Sequence, residues 1–69
     1  MRIHLPRHWQ RQLANLPETS MGAQHVDIIL RDGRVIHDVT VFNGEDCEVQ
    51  ESIDPKQIAE IRIHKKYAD

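Results

Sequence analysis

The sequence predicts an α+β fold, in which one N-terminal helix packs on a four- or five-stranded antiparallel sheet. Apolar residues recur at helical spacing up to Leu16, whereas from about His25 they alternate with polar residues as in a half-buried strand. An Asp-Gly pair at 32–33 then separates two β-branched runs, which is typical of a hairpin turn. The sheet is expected over about residues 25–64, either as an open sheet or as a small bent barrel.

The helix is predicted over about residues 6–16. Trp9, Leu13 and Leu16 fall on one stripe of such a helix, and the proline at position 17 ends it. A helix of this length is unstable alone in water. Its apolar stripe must therefore dock on the sheet, and a loop is expected to connect the two.

The first hairpin is predicted to turn at Asp32 and Gly33, both with positive φ. The pairs predicted by this two-residue loop are Leu30–Val35, Ile29–Ile36, Ile28–His37 and Val26–Val39. This register places His37 among apolar residues. Either a β-bulge turns His37 outward, or its ring is partly buried at a barrel mouth. The bulge is favoured, because strongly bent strands commonly contain one.

A three-residue loop at 43–45 is predicted to follow, because it sets Val41 opposite Cys47 and keeps one face of the sheet apolar. The third strand is expected over about residues 46–51. A two-residue Asn-Gly loop would instead place acidic residues on the apolar face, which disfavours it.

The C-terminal part is predicted to contain one short helical turn and a last strand. Asp54 before Pro55 is a favourable cap followed by a favourable first helical residue. The alternating residues 59–64 predict the strand. The tail 65–69 is polar and is expected to fray.

Asp32-Gly33-Arg34 joins two long strands, and a short turn leads into the closing strand from Ile58 to Ile63. In these features, residues 25–64 resemble the Sm-like and SH3-like small β-barrel proteins. For an Sm-like protein the resemblance implies a closed barrel that binds RNA. The stretch from Leu16 through the Asp-Gly-Arg turn also resembles a group of uncharacterised small bacterial proteins, which implies a bacterial source and no known activity.

Composition excludes several classes of protein. The 69 residues form one small domain, and Cys47 is the single cysteine, so a disulfide within the chain is excluded. No apolar run is long enough to cross a membrane, and no secretory segment is evident. A cytoplasmic location is therefore expected. The net charge of −2 argues against strong nonspecific nucleic-acid binding.

The sequence does not predict an enzyme or a cofactor. No Gly-rich phosphate loop occurs, and Cys47 and His37 are placed too far apart to act as nucleophile and base. Cys47 is expected to be a buried, inert thiol. His4 and His8 have the spacing of two ligands on a helix, but Pro6 lies between them. No metal site is predicted from this spacing, although whether the two histidines bind a metal stays open.

The leading functional prediction is a non-enzymatic module for protein–protein interaction or self-assembly, with no role for a membrane. Ile29, Ile36 and Phe42 are the interface candidates, because the predicted register places all three on the face of the hairpin opposite its larger apolar face. Either another chain covers this second apolar face or the helix itself does.

RNA binding on a small barrel is the alternative function. Its candidate anion-binding residues are Arg2, Arg7 and Arg11, supported by the basic pair at 65–66. A solvated helix face explains the same arginines without any ligand.

Overall fold

The computed structural model describes residues 1–16 and 23–64. Within them, five strands form one antiparallel sheet in the order β1-β4-β3-β2-β5. The elements are β1 (Arg2–His4), α1 (Arg7–Ala14), β2 (Ala23–Leu30), β3 (Val35–Phe42), β4 (Asp46–Glu48), a 3₁₀ turn (Pro55–Gln57) and β5 (Ile58–Ile63). This confirms the α+β prediction. The edge strands β1 and β5 do not pair with each other, so the sheet is open and the barrel alternative is wrong.

Two predicted segments fall partly or wholly outside this description. Residues 17–22, which make up most of the predicted loop between helix and sheet, lie outside the described residues. So does the predicted frayed tail at 65–69.

The helix α1 packs on one side of the sheet, which we call the inner face. Trp9 and Leu13 are buried there, as the apolar stripe predicts, together with Leu5 just before the helix. The helix ends at Ala14, earlier than predicted, and Leu16 is only partly buried. The other residues of the same core are Val26, Ile28, Leu30, Val39, Val41, Cys47, Val49, Ile53, Ile58 and Ile61.

The helix C-terminus is tied to the sheet by a buried polar side chain. The Gln24 amide donates hydrogen bonds to the carbonyls of Leu13 and Leu16, at 2.9 and 3.2 Å. Carbonyls in the last turn of a helix lack partners within the helix. Gln24 supplies one from β2, which fixes how the helix sits on the sheet.

The edge strand β1 was not predicted. Arg2–His4 pair with β4, and Ile3 lies opposite Cys47 with its side chain against the core. Three residues are too few for a period of two to be recognised in the sequence. The strand exists because β4 offers it a partner.

The first hairpin turns where predicted, but through the three residues 31–33. The Gly33 N–H donates to the Leu30 carbonyl at 3.0 Å, and the Leu30 N–H donates to the Arg34 carbonyl at 2.8 Å. Only Gly33 has positive φ, at +95°, whereas Asp32 does not. The predicted two-residue loop is therefore wrong by one residue.

The extra turn residue shifts the pairing beside the turn. Ile28 pairs with Ile36, and Ile29 pairs with Val35. The predicted pairs Leu30–Val35, Ile28–His37 and Ile29–Ile36 are therefore wrong. Paired residues share a face, so Ile36 belongs to the inner face with Ile28 and Val35 to the opposite face.

A β-bulge in β3 restores the predicted register farther from the turn. His37 and Asp38 together lie opposite Asp27, and beyond them Val26 pairs with Val39 as predicted. Asp38 has a φ of +54°, and its N–H donates to Asp27 Oδ1 at 3.0 Å. His37 points outward with its side chain 67% exposed, which confirms the bulge interpretation.

The pairing of β3 with β4 and the turn before β5 agree with the predictions from sequence. Val41 pairs with Cys47, which confirms the three-residue loop, although β4 ends at Glu48 and is shorter than predicted. The Asp54 carboxylate accepts from the Lys56 N–H at 2.9 Å and caps the predicted 3₁₀ turn. The last strand then starts directly at Ile58.

Gly33→Val should destabilise the protein through backbone strain alone. A Cβ at Gly33 would meet no atom within 4 Å, but the φ of +95° disfavours any L side chain and a β-branched one most. We expect a loss of about 1–2 kcal/mol, seen as a melting temperature lower by about 4–8 °C for each kcal/mol. Gly33→Asn is the control and should lose less. An unchanged melting temperature for the valine variant would contradict the turn.

Trp9→Ala should remove the main anchor of α1. Trp9 is 8% exposed and lies in the core, so its truncation should cost about 3–5 kcal/mol. Urea titration followed by circular dichroism measures the loss, with Trp9→Phe as the milder control. In the folded wild type, indole emission should be shifted toward the blue. Emission typical of indole in water would mean that Trp9 is not core.

Candidate functional site

The side of the sheet opposite α1, which we call the outer face, carries most of the ionisable side chains of the strands. Three histidines, His4, His25 and His64, lie close to carboxylates there. His4 Nδ1 lies 2.8 Å from Asp46 Oδ1, and His25 Nδ1 lies 3.1 Å from Asp38 Oδ1. Hydrogen-bonded His–Asp pairs of this kind lie on both halves of the face.

The densest group on this face is Asp27 with His37 and His64, which we call the Asp27 cluster. His64 Nδ1 lies 2.6 Å from Asp27 Oδ1, and His37 Nδ1 lies 3.4 Å from Asp27 Oδ2. The two imidazole rings are 6.3 Å apart, edge to face. One ligand atom from each residue lies within 4.8 Å of the other two. The bulge creates the cluster, because it turns His37 outward beside Asp27.

The Asp27 carboxylate is the centre of this cluster and is only 16% exposed. Partial burial by itself would raise the pKa of Asp27. The hydrogen bond from the Asp38 N–H, together with the hydrogen bond and positive charge of His64, outweighs burial and holds the pKa below its ordinary value. Asp27 is therefore a carboxylate at neutral pH, with acceptor capacity directed at two imidazoles.

A groove runs along the open edge of β3. The strand β4 pairs with β3 only at Thr40, Val41 and Phe42. Among the described residues, no strand pairs with 35–39 on the side away from β2. The chain after β4 leaves a space of about 920 Å³ beside this edge, lined by Met1, Val35–Thr40 and Glu48–Glu51.

Backbone groups of β3 point into this groove. The Arg34 carbonyl accepts from β2, so the groups of Val35, one residue on, point the other way, as do those of His37. Val35 is also an exposed apolar side chain, at 42%. The groove thus offers strand-like hydrogen-bonding groups beside an apolar contact.

The predicted interface residues are separated by the structure. Ile29 lies on the outer face, opposite Val35. Ile36 packs against the core instead, which corrects its placement beside Ile29, and it also lines the groove. Phe42 lies under the Arg2 guanidinium, 4.7 Å from ring centre to Cζ. Val35, which the predicted register pairs with Leu30, instead pairs with Ile29 and takes the position predicted for Ile36.

The predicted anion-binding arginines do not form one patch. Arg2 lies in β1 on the outer face, 3.7 Å from Glu48 Oε2. Arg7 and Arg11 lie in α1, on the other side of the sheet. Phosphate binding strengthens with the number of cations that act together, and the fold places Arg2 on the opposite side of the sheet from Arg7 and Arg11.

His4 and His8 also lie in different elements. His4 lies in β1 beside Asp46, and the ring of His8 lies 5.0 Å from that of Trp9 in α1. Cys47 is fully buried, as predicted. Burial, with the nearby charge of Asp46, raises the pKa of the Cys47 thiol to about 11. A neutral thiol is a poor nucleophile.

The sequence patterns do not predict the Asp27 cluster. The alternating pattern makes Asp27 and His64 polar residues of two separate strands, and it gives His37 no specified partner. Two consecutive polar residues at 37–38 within an alternating strand were the signal for the bulge. That His64 lies beside Asp27 depends on β5 pairing with β2, which no local pattern specifies.

Comparison with protein-family models, with curated proteins and with solved structures gave no match. The resemblance to Sm-like and SH3-like proteins therefore stays a prediction from sequence. Across the described residues, no helix has the length and apolarity needed to cross a membrane.

The pH dependence of stability should carry the signature of Asp27. A carboxyl whose pKa is lower in the folded than in the unfolded protein stabilises the fold above its unfolded pKa and loses that contribution as pH falls through the folded value. The melting temperature should therefore drop as pH falls below the ordinary value of 3.8. Asp27→Asn should flatten this decline. Glu45→Gln, in an exposed loop, is the control, and an equal effect of both variants would contradict the role of Asp27.

Proposed function

We propose that this protein is a non-enzymatic interaction module that binds an extended, basic segment of another polypeptide along the open edge of β3. The observation that carries the proposal is the early end of β4. It leaves residues 35–39 of β3 with one edge beside a groove rather than beside a strand. An extended peptide can add to such an edge as a further strand, with affinity from main-chain hydrogen bonds.

The backbone groups that line the groove support an extended occupant. Strand addition uses backbone groups at every second residue, which here are those of Val35 and His37. The partly exposed Val35 would contact an apolar side chain of the incoming strand. An unpaired sheet edge next to apolar surface is the usual setting for this mode of binding.

The charges of the groove favour a basic occupant. Its acidic lining residues are Asp38, Glu48 and Glu51. Two of them already contact cations: Glu51 lies 3.4 Å from Arg34, and Glu48 lies 3.3 Å from the N-terminal amine of Met1 and 3.7 Å from Arg2. Such exposed pairs are weak, so a Lys or Arg of the incoming strand can compete. A second copy of this chain would instead bring two acidic grooves together, which disfavours self-assembly at this edge.

The probe is a short peptide of alternating Val and Lys, titrated into the labelled protein and followed by amide chemical shifts. We expect shifts at residues 35–39, and much weaker binding of the Val–Glu counterpart. Methylating the peptide nitrogens that face β3 should abolish binding, because it removes the main-chain donors. Glu48→Gln with Glu51→Gln should weaken binding several-fold, since each exposed pair contributes about 0.2–1 kcal/mol.

Glu60→Gln is the matched control, because Glu60 lies in β5 outside the groove. Shifts that map to Ile29 and Phe42, indifference to methylation, or equal binding of the acidic peptide would overturn the proposal. Sedimentation of the free protein tests whether a second copy of this chain occupies the groove instead. A dimer dissociated by substitutions at 35–39 would show that the groove receives a second copy.

A further inference from the structure

We propose that the Asp27 cluster is a binding site for a divalent transition-metal ion, with Zn²⁺ as the cation that fits it best. The site is separate from peptide binding in its chemistry, although His37 borders both. Asp27 lies in β2 and His37 in the neighbouring strand β3, and His64 directly follows β5, the neighbour of β2 on its other side.

The ligand set selects the class of ion. Two imidazoles and one carboxylate suit zinc and other late transition metals, whereas Ca²⁺ and Mg²⁺ require mostly oxygen ligands. Both imidazoles approach the same carboxylate through Nδ1, His64 at 2.6 Å from Oδ1 and His37 at 3.4 Å from Oδ2. A fourth position for water or another ligand is normal in zinc sites with three protein ligands.

The central ligand is held in place before an ion arrives. Asp27 Oδ1 accepts the Asp38 N–H at 3.0 Å, a bond made possible by the bulge. In metal sites, ligating carboxylates are commonly oriented by hydrogen bonds of this kind from neighbouring groups. The left-handed φ of Asp38, +54°, is a strained backbone conformation at the same point. Strain of this kind clusters at functional sites.

The site is accessible and can adjust. The His37 side chain is 67% exposed, so an ion reaches the cluster from solvent and His37 can rotate toward it. The 2.6 Å contact between His64 and Asp27 is a hydrogen bond. It must lengthen to admit zinc, because two ligand atoms of a tetrahedral site about 2.0–2.1 Å from the ion lie farther apart. Zinc bound here replaces this hydrogen bond, and His64 ligates through Nδ1 as the neutral tautomer that carries its proton on Nε2.

Calorimetric titration of the full chain with zinc chloride, after treatment with a chelator, tests the site. We expect one equivalent of zinc to bind, and the melting temperature to rise in its presence and to fall back when chelator is added. His37→Ala should weaken binding by about tenfold or more. The exposure of His37 means that this variant keeps its fold. His64→Ala should have the same effect.

His4→Ala is the matched control. His4 forms a pair with Asp46 at 2.8 Å on the same face, but the group of potential ligands around Asp27 does not include it. Binding that is lost equally in His4→Ala and His37→Ala, or binding unchanged by His37→Ala, would overturn the proposal. So would the absence of any zinc binding to the wild type.

A spectroscopic measurement remains informative even where a variant unfolds. Nitrogen shifts of the histidine rings in the wild type should change at Nδ1 of His37 and His64 on addition of zinc, and not at His4. Peptide titrations run in chelator separate the two proposals. Peptide binding that persists in chelator would support the groove proposal whether or not zinc binds. Zinc binding in the absence of peptide would support the metal site whether or not the peptide binds.

Discussion

The hydrogen bond from the Asp38 N–H to the Asp27 carboxylate is the contact on which the bulge of β3 and the Asp27 cluster depend. It closes the β-bulge of β3 with a side chain, where a regular ladder would use a backbone carbonyl. The bulge absorbs the residue that the three-residue turn adds to the hairpin. Both halves of β3 can then place apolar side chains on the inner face, Ile36 before the bulge and Val39 beyond it.

This compensation explains which parts of the fold were predictable. Apolar periodicity and turn residues placed α1 and both hairpins, and the Asp54-Pro55 cap placed the turn before β5, because each is determined within a few residues. The pair Val26–Val39 was predicted correctly, whereas pairs between the bulge and the turn were wrong by one residue. An Asp-Gly sequence fits loops of two or three residues equally well. The two choices differ only in whether a bulge follows, so the register could not be settled at the turn alone.

The candidate sites show the same division between local and long-range information. The predicted register places His37 on the apolar face, and the bulge is favoured because strongly bent strands commonly contain one. The partners of that bulge come from β2 and β5, which are separated from it in sequence. The groove likewise depends on where β4 stops, and β4 continued to 51 in the sequence-based prediction. Sequence patterns therefore located the residue types, whereas sheet order determined which of them meet.

The two proposed sites share β3, and this follows from how the strand is built. A strand in the middle of a regular sheet has both edges paired and every side chain committed to one face. Here, β4 is too short to cover residues 35–39, and the bulge places two consecutive polar side chains on the outer face at the same level. An open edge gives main-chain groups for a peptide, and the bulge gives His37 to the Asp27 cluster. Neither the open edge nor the bulge disrupts the packing of the inner face, because Ile36, Val39 and Val41 of the same strand still contact the core.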